Sequence, residues 1–147
     1  MDKNEAGFFT MKGYTEHTAG LTASMEDYLE MICRMSQSSG VIRISELAAC
    51  LHVGPPSASK MSVILKDAGL LSFQKYGYIT LTEKGKKAGE YLLYRHETVH
   101  SFLCALNGSD NELEQAEKIE HFLDPRTVEN LARLTKSLNV RKESPDN

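Results

Sequence analysis

Long hydrophobic runs are missing from these 147 residues. The apolar stretches are a few residues each, far short of the roughly 20 that a bilayer-crossing helix needs, so no segment is expected to span a membrane. The first twenty residues, MDKNEAGFFTMKGYTEHTAG, contain no apolar core of signal-peptide length, and secretion is not expected. Cysteine is scarce: Cys33, Cys50 and Cys104 are odd in number, far apart and without CxxC spacing. A disulfide framework and a thiolate zinc ribbon are therefore disfavoured, and a reducing, cytoplasmic setting is predicted. Also absent are a Gly-rich phosphate loop, a GxSxG elbow, a cysteine in a nucleophile motif, internal repeats and low-complexity segments.

Strong net charge is lacking as well, at −3 overall, which argues against a uniformly basic nucleic-acid binder. Its distribution is uneven. Residues 1–51 carry 4 basic and 7 acidic side chains, residues 52–96 carry 7 and 3, and residues 97–147 carry 6 and 10. A basic middle between acidic ends predicts a local surface for a polyanion.

Residues 1–21 have weak periodicity and read as a flexible tail. A first helix is predicted from a cap at Ser24, with Met25, Tyr28, Leu29, Ile32 and Met35 on one face and Asp27, Glu30 and Arg34 on another. Extended Val41–Ile44 then leads into a brief helix capped by Ser45 and ending at Leu51. His52-Val-Gly-Pro-Pro56 forms a turn in which glycine ends that helix, and proline opens a third helix from Pro56 to Ala68 that buries Met61, Ile64 and Leu65. Two short helices about a tight Gly-containing turn make a helix-turn-helix. Pro56, Ser57, Ser59, Lys60 and Ser62 then fall early on its second helix, where small hydroxyls and a lysine suit groove edges and phosphates.

Leu70–Phe73 and Tyr78–Leu81 flank Gln74-Lys-Tyr-Gly77 and read as a hairpin, placing Lys75 and Tyr76 at the tip of a DNA-touching wing. A tyrosine packed on its own hairpin is the alternative for Tyr76. Thr82 should cap a long helix to about Leu106, its start weakened by Gly85 and Gly89. Two more helices are predicted, Asn111–Leu123 closed by Pro125, and Thr127–Asn139 with Val128, Leu131, Leu134 and Leu138 as its apolar stripe.

The sharpest chemical cluster is Glu117-x-x-Glu120-His121, whose i, i+3, i+4 spacing puts two carboxylates and an imidazole on one helix face. Asp27 and Glu30 are an i, i+3 pair, and His96 lies between Leu92 and Val99. Four carboxylates and two imidazoles form a hard ligand set suited to Mn²⁺ or Fe²⁺. Each part also has a plainer reading: a solvated acidic helix face, first-turn partners of the helix dipole, and a satisfied core histidine. Only the combination favours a metal. His96-Glu97-Thr98-Val99-His100 matches the zinc-hydrolase pattern HExxH, but no third ligand or strand-lined cleft accompanies it.

Five separated motifs bear a joint likeness. Ser24-Met-Glu-Asp-Tyr-Leu-Glu30, Pro55-Pro-Ser-Ala-Ser-Lys60, Leu81-Thr-Glu-Lys-Gly-Lys-Lys87, Tyr94-Arg-His96 and Glu117-Lys-Ile-Glu-His121 occur in collinear order within residues 22–139. Together they resemble the diphtheria-toxin-repressor family of metal-dependent transcriptional repressors, closest to the manganese transport regulator branch. The resemblance implies a mainly α fold, in which a winged helix-turn-helix DNA-binding domain with a two-stranded wing precedes an all-helical dimerisation domain. The expected organisation is a tail over 1–21, the DNA-binding domain over 22–90, the metal-binding and dimerisation domain over 91–141, and a tail over 142–147.

It implies metal ligation by Asp27, Glu30, His96, Glu117, Glu120 and His121. Mn²⁺ is the expected cofactor, at two ions per subunit, with Fe²⁺ as a second candidate. The expected partners are a second copy of the chain and a palindromic double-stranded operator, with no membrane, organic substrate or enzymatic activity. In the iron-responsive branch a methionine stands at the position of Asp27 and a cysteine at that of Glu117, so the two carboxylates here favour the manganese branch. The SH3-like domain of the iron branch is not expected. The N-terminal extension, His100, Gly54 and Pro56 depart from the family's pattern. By resemblance, metal neutralises the carboxylates and sets the spacing of two recognition helices. The rival readings are a metal-independent winged-helix regulator that senses an organic ligand and a small HExxH metallohydrolase.

Overall fold

The computed structural model describes residues 18–143. The tails expected at 1–21 and 142–147 fall mostly outside the described residues. The chain divides into two compact units, one running to Leu93 and the other starting at Tyr94, so the division lies within a helix. Among the described residues no helix is long and apolar enough to cross a membrane.

The first unit contains α1 (Ala23–Ser36), β1 (Ile42–Arg43), α2 (Ile44–Leu51), α3 (Pro55–Asp67), β2 (Leu71–Phe73), a 3₁₀ turn (Lys75–Gly77), β3 (Tyr78–Leu81) and the start of α4 (Glu83–Asn107). Leu29, Ile32, Ile42, Leu47, Leu65, Leu70 and Ile79 are fully or almost fully buried and form its core. Each such side chain stabilises the fold by about 1.5–3 kcal/mol relative to exposure. The expected two-stranded wing is a three-stranded antiparallel sheet in the order β1-β3-β2. Buried Ile42 pairs with Ile79, and Leu71 pairs with Leu81, so the extended stretch before α2 joins the hairpin.

Several local expectations are corrected. The cap of α1 is Thr22, whose Oγ1 accepts from Met25 N at 3.2 Å, two residues before Ser24. Ser45 does not cap α2. That helix starts at Ile44, and Glu46 at its third position accepts from the Arg43 amide at 3.3 Å. His52, at φ 55°, takes the left-handed position that ends α2, while Gly54 serves as N-cap of α3. On α3, Ala58, Ser62 and Leu65 are buried at 3.6-residue spacing, whereas Ile64 is 40% exposed. Ser62 therefore faces inward, its hydroxyl donating to Ala58 O at 2.7 Å.

The second unit holds the remainder of α4, α5 (Leu113–Ile119), a 3₁₀ turn (Glu120–Phe122) and α6 (Pro125–Glu143). Val99, Leu103 and Ala116 form its buried centre, with Phe102, Ile119, Leu123 and Leu131 packed around them. Pro125 opens α6 instead of closing α5: Asp124 Oδ1 accepts from Thr127 N at 2.8 Å, and proline's missing N–H costs nothing in the first turn. The stripe on α6 also rotates, because Thr135 is buried and Leu134 is 48% exposed.

The start of α4 is stitched to the end of α3. Thr82 Oγ1 accepts from Gly85 N at 3.0 Å and donates to Gly69 O at 2.6 Å, and Lys84 Nζ donates to Ala68 O at 2.9 Å. A Cβ on Gly85 would sit 2.0 Å from Leu70 O, and one on Gly89 would sit 2.7 Å from Cys33 Cβ. These glycines permit close packing, beyond their weak helix propensity. Gly85→Ala should gain about 1 kcal/mol from propensity alone. The clash with a backbone carbonyl reverses the sign, and thermal denaturation is expected to show a net loss of roughly 1–3 kcal/mol.

The Asp124 cap gives a pH prediction. Its carboxyl is held below the usual range by the Thr127 amide and then the Thr127 hydroxyl. A depressed folded-state pKa contributes stability that is present above the unfolded value and lost as pH falls through the folded one. Asp124→Asn is therefore expected to lower neutral-pH stability slightly, the neutral amide still capping α6, and to flatten the acid limb of the stability–pH curve so that the two proteins converge at low pH.

Candidate metal centre and nucleic-acid surface

In the second unit, α4 carries Arg95 and His96, both buried. The helix predicted over Asn111–Leu123 ends at Ile119, and the chain tightens into the 3₁₀ turn. Three residues per turn instead of 3.6 re-aims the side chains that follow. Glu120 points inward with its side chain 2% exposed, Phe122 points outward, and Glu117, back on α5, remains exposed.

His96 Nδ1 lies 2.7 Å from Glu120 Oε2 and donates its proton there, since a carboxylate only accepts. His121 Nε2 lies 3.9 Å from the other oxygen, Oε1. Arg95 Nη2 is 3.2 Å from His121 Nδ1. A guanidinium only donates, so His121 Nδ1 accepts and the ring carries its proton on Nε2. The structure thus brings His96, Glu120 and His121 together. Two imidazoles about a nearly dry carboxylate are hard N/O donors without a thiolate, and they fit a divalent cation of the Mn²⁺/Fe²⁺ type. The role of Arg95 has no local signal in the sequence. Its partner is 26 residues away in sequence, and nothing local in Tyr94-Arg-His96 marks the arginine as oriented toward a second histidine.

In the first unit, Asp27 is exposed and Glu30 buried, and Glu30 Oε1 accepts from Arg34 Nη2 at 3.0 Å. Because α1 starts at Ala23, both acids lie beyond its first turn, where the helix dipole has faded. The HExxH residues are otherwise engaged. His100 Nε2 accepts from Glu112 N at 3.1 Å and lies 3.4 Å from Cys104 Sγ, while Glu97 is exposed. All three described cysteines are free.

The expected DNA-facing residues share exposure. Gly54 caps α3, Pro55 and Pro56 open it, and Pro56, Ser57, Ser59 and Lys60 are all exposed. Gln74 N donates to Tyr78 O at 2.7 Å and closes the hairpin. Lys75 is exposed, and Tyr76 at the tip is 89% exposed with φ 64°. Tyr76 therefore projects into solvent and does not pack on its own hairpin.

Comparison with known proteins agrees in both units. Residues 20–79 match the model "Iron dependent repressor, N-terminal DNA binding domain". Residues 82–146 match "Iron dependent repressor, metal binding and dimerisation domain". The chain is 39% identical over 114 residues to the HTH-type transcriptional regulator MntR of Oceanobacillus iheyensis, covering 77% of this chain and 78% of that protein. It is 36% identical over 126 residues to the MntR of Lysinibacillus sphaericus, covering 85% and 88%. Among solved structures, the manganese regulator SloR is similar at a TM-score of 0.68 and 28% identity, over 79% of this chain and 55% of that one. ScaR with bound Zn²⁺ is similar at a TM-score of 0.64 and 30% identity, over 76% and 53%. The chain thus spans about half the length of these two solved regulators.

The difference in burial between the two acids of the 117–121 segment yields a stability test in chelator. Glu120→Ala removes the acceptor 2.7 Å from a buried imidazole and is expected to cost about 1–3 kcal/mol in urea denaturation. Exposed Glu117→Ala is expected to stay within about 0.5 kcal/mol of the wild type.

Proposed function

We propose that this chain, which belongs to the iron dependent repressor family, represses metal-uptake genes when Mn²⁺ is plentiful. At the coarser level it is a metal-dependent DNA-binding transcriptional repressor. The observation that carries the finer reading is the buried Glu120 carboxylate between His96 and His121, in the half of the chain matched by a metal-binding and dimerisation model.

The proposed ligands are Asp27, Glu30, His96, Glu117, Glu120 and His121, drawn from both halves of the sequence. Mn²⁺ is the proposed effector at two ions per subunit, with Fe²⁺ the second candidate. A bound divalent cation supplies the positive charge that offsets the mutual repulsion of the carboxylates. The imidazoles ligate only through an unprotonated nitrogen, so loading releases protons and weakens as pH falls. Arg95 donates to His121 Nδ1 and orients the metal-free ring with Nε2 toward Glu120; ligation through Nε2 would require the ring proton to move to Nδ1 and the guanidinium to give way.

On the DNA side, Ser57, Ser59 and Lys60 with Pro56 form the proposed groove-facing start of α3, and Lys75 and Tyr76 the wing contact. The proposed partners are a second copy of the chain and a palindromic operator, in the cytoplasm, with regulation as the activity in place of turnover.

The test is fluorescence anisotropy of the purified chain on its own promoter DNA, at fixed salt because phosphate contacts make affinity salt-dependent. Mn²⁺, or Fe²⁺ without oxygen, is expected to raise affinity about 5–150-fold, the usual range of an allosteric coupling. Asp27→Ala, His96→Ala and Glu120→Ala are expected to abolish the metal response, and Glu97→Gln to leave it intact. Equally tight binding in chelator would overturn the metal switch.

A further inference from the structure

We propose that Arg43 is a preorganised phosphate-gripping residue of the DNA-binding unit, set by Tyr78 at the β1 edge of the sheet and separate from both α3 and the wing tip. The proposal rests on the repressor reading above. Arg43 is exposed and lies directly across from Tyr78 in the β1–β3 register. Its Nη2 donates to the Tyr78 hydroxyl at 2.9 Å, and its guanidinium carbon sits 4.9 Å from the centre of the same ring. Stacking and hydrogen bonding together fix a long side chain that would otherwise lose its rotamer freedom on meeting a ligand.

Nearby acid does not consume the charge in a side-chain pair. The Glu46 carboxylate is the acceptor for the Arg43 backbone amide, capping α2. A guanidinium has five N–H donors in a planar fork, so a bond to one hydroxyl leaves it able to grip a phosphate. The residue's place in the fold supplies the partner. Arg43 immediately precedes α2, the first helix of the helix-turn-helix, which crosses the DNA backbone in that motif. It also flanks β3, the strand that leaves the wing tip at Lys75–Gly77. Both neighbours approach the sugar-phosphate backbone, which points to phosphate contact without base reading.

The experiment uses the full-length chain with Mn²⁺, measuring anisotropy on operator and on random duplex across a salt series. Arg43→Ala is expected to weaken both several-fold and leave their ratio unchanged. Each phosphate contact contributes about 0.9 to the slope of log affinity against log salt, so a dimer losing two should show a slope shallower by about 2. Tyr78→Phe keeps the charge and the ring but loses the anchoring hydroxyl, so affinity should drop less and the slope should stay as in the wild type. Arg43→Lys should retain the slope with intermediate affinity, and all variants should melt as folded proteins because the Glu46 cap uses the backbone.

Unchanged affinity and slope in Arg43→Ala, beside a normally binding wild type, overturns the proposal alone. A loss confined to the operator also overturns it, since that would mean base reading. A wild type that fails to bind DNA with metal overturns the repressor reading and this one with it.

Discussion

A carboxylate taken almost wholly out of water governs the second unit. Moving such a group from water into a protein interior costs several kcal/mol unless its lone pairs are met. Glu120 accepts from His96 Nδ1, with N and O 2.7 Å apart, and the His121 imidazole stands 3.9 Å from its other oxygen. The local architecture follows from it. The α5 helix stops at Ile119, a 3₁₀ turn aims Glu120 inward, and Asp124 and Pro125 restart the chain as α6. Arg95, from the helix opposite, holds the second imidazole. The donor set of this dry cluster is hard and fits the proposed divalent cation, because a carboxylate and imidazoles that share protons can exchange them for metal.

The first unit solves a different problem, which is to present polar side chains outward from a rigid base. Apolar side chains on α1, α2, α3 and the sheet are buried, while the start of α3 and the wing tip stay exposed. Two residues with side chains, His52 and Tyr76, adopt positive φ at the turns that aim these elements, a conformation that costs non-glycine residues roughly 1–2 kcal/mol. The tie between the end of α3 and the start of α4 through Thr82, Lys84 and the bare Gly85 makes the base stiff. The same helix that is tied there carries Arg95 and His96 further along.

Much of this is legible in the sequence. The helix-turn-helix, the hairpin with its Lys-Tyr-Gly tip, the Thr82 cap and the long helix all rest on interactions within a few residues. The apolar face of α1 is marked by Tyr28, Leu29 and Ile32, all of them buried. The types and spacing of the acidic and imidazole residues were also visible, including the pairing potential of the 117–121 segment. Those features are encoded locally, by hydrogen-bond offsets of three or four residues and by 3.6-residue periodicity.

What the sequence could not decide depends on residues far apart in the chain. Which face of α3 and α6 is covered turned on neighbours, so Ile64 and Leu134 emerged while Ser62 and Thr135 were buried. Gly85 looked like a weak helix residue until the Leu70 carbonyl stood where its Cβ would be. Glu117 and Glu120 are both glutamates on one predicted face, yet only Glu120 is buried, because its edge of that face meets His96 on α4, 24 residues away in the chain. The partnerships of Arg95 with His121 and of His96 with Glu120 span 26 and 24 residues. Local propensity fixes where helices and turns form, whereas packing against distant segments decides which side chains lose water, and therefore which acids and histidines become a site.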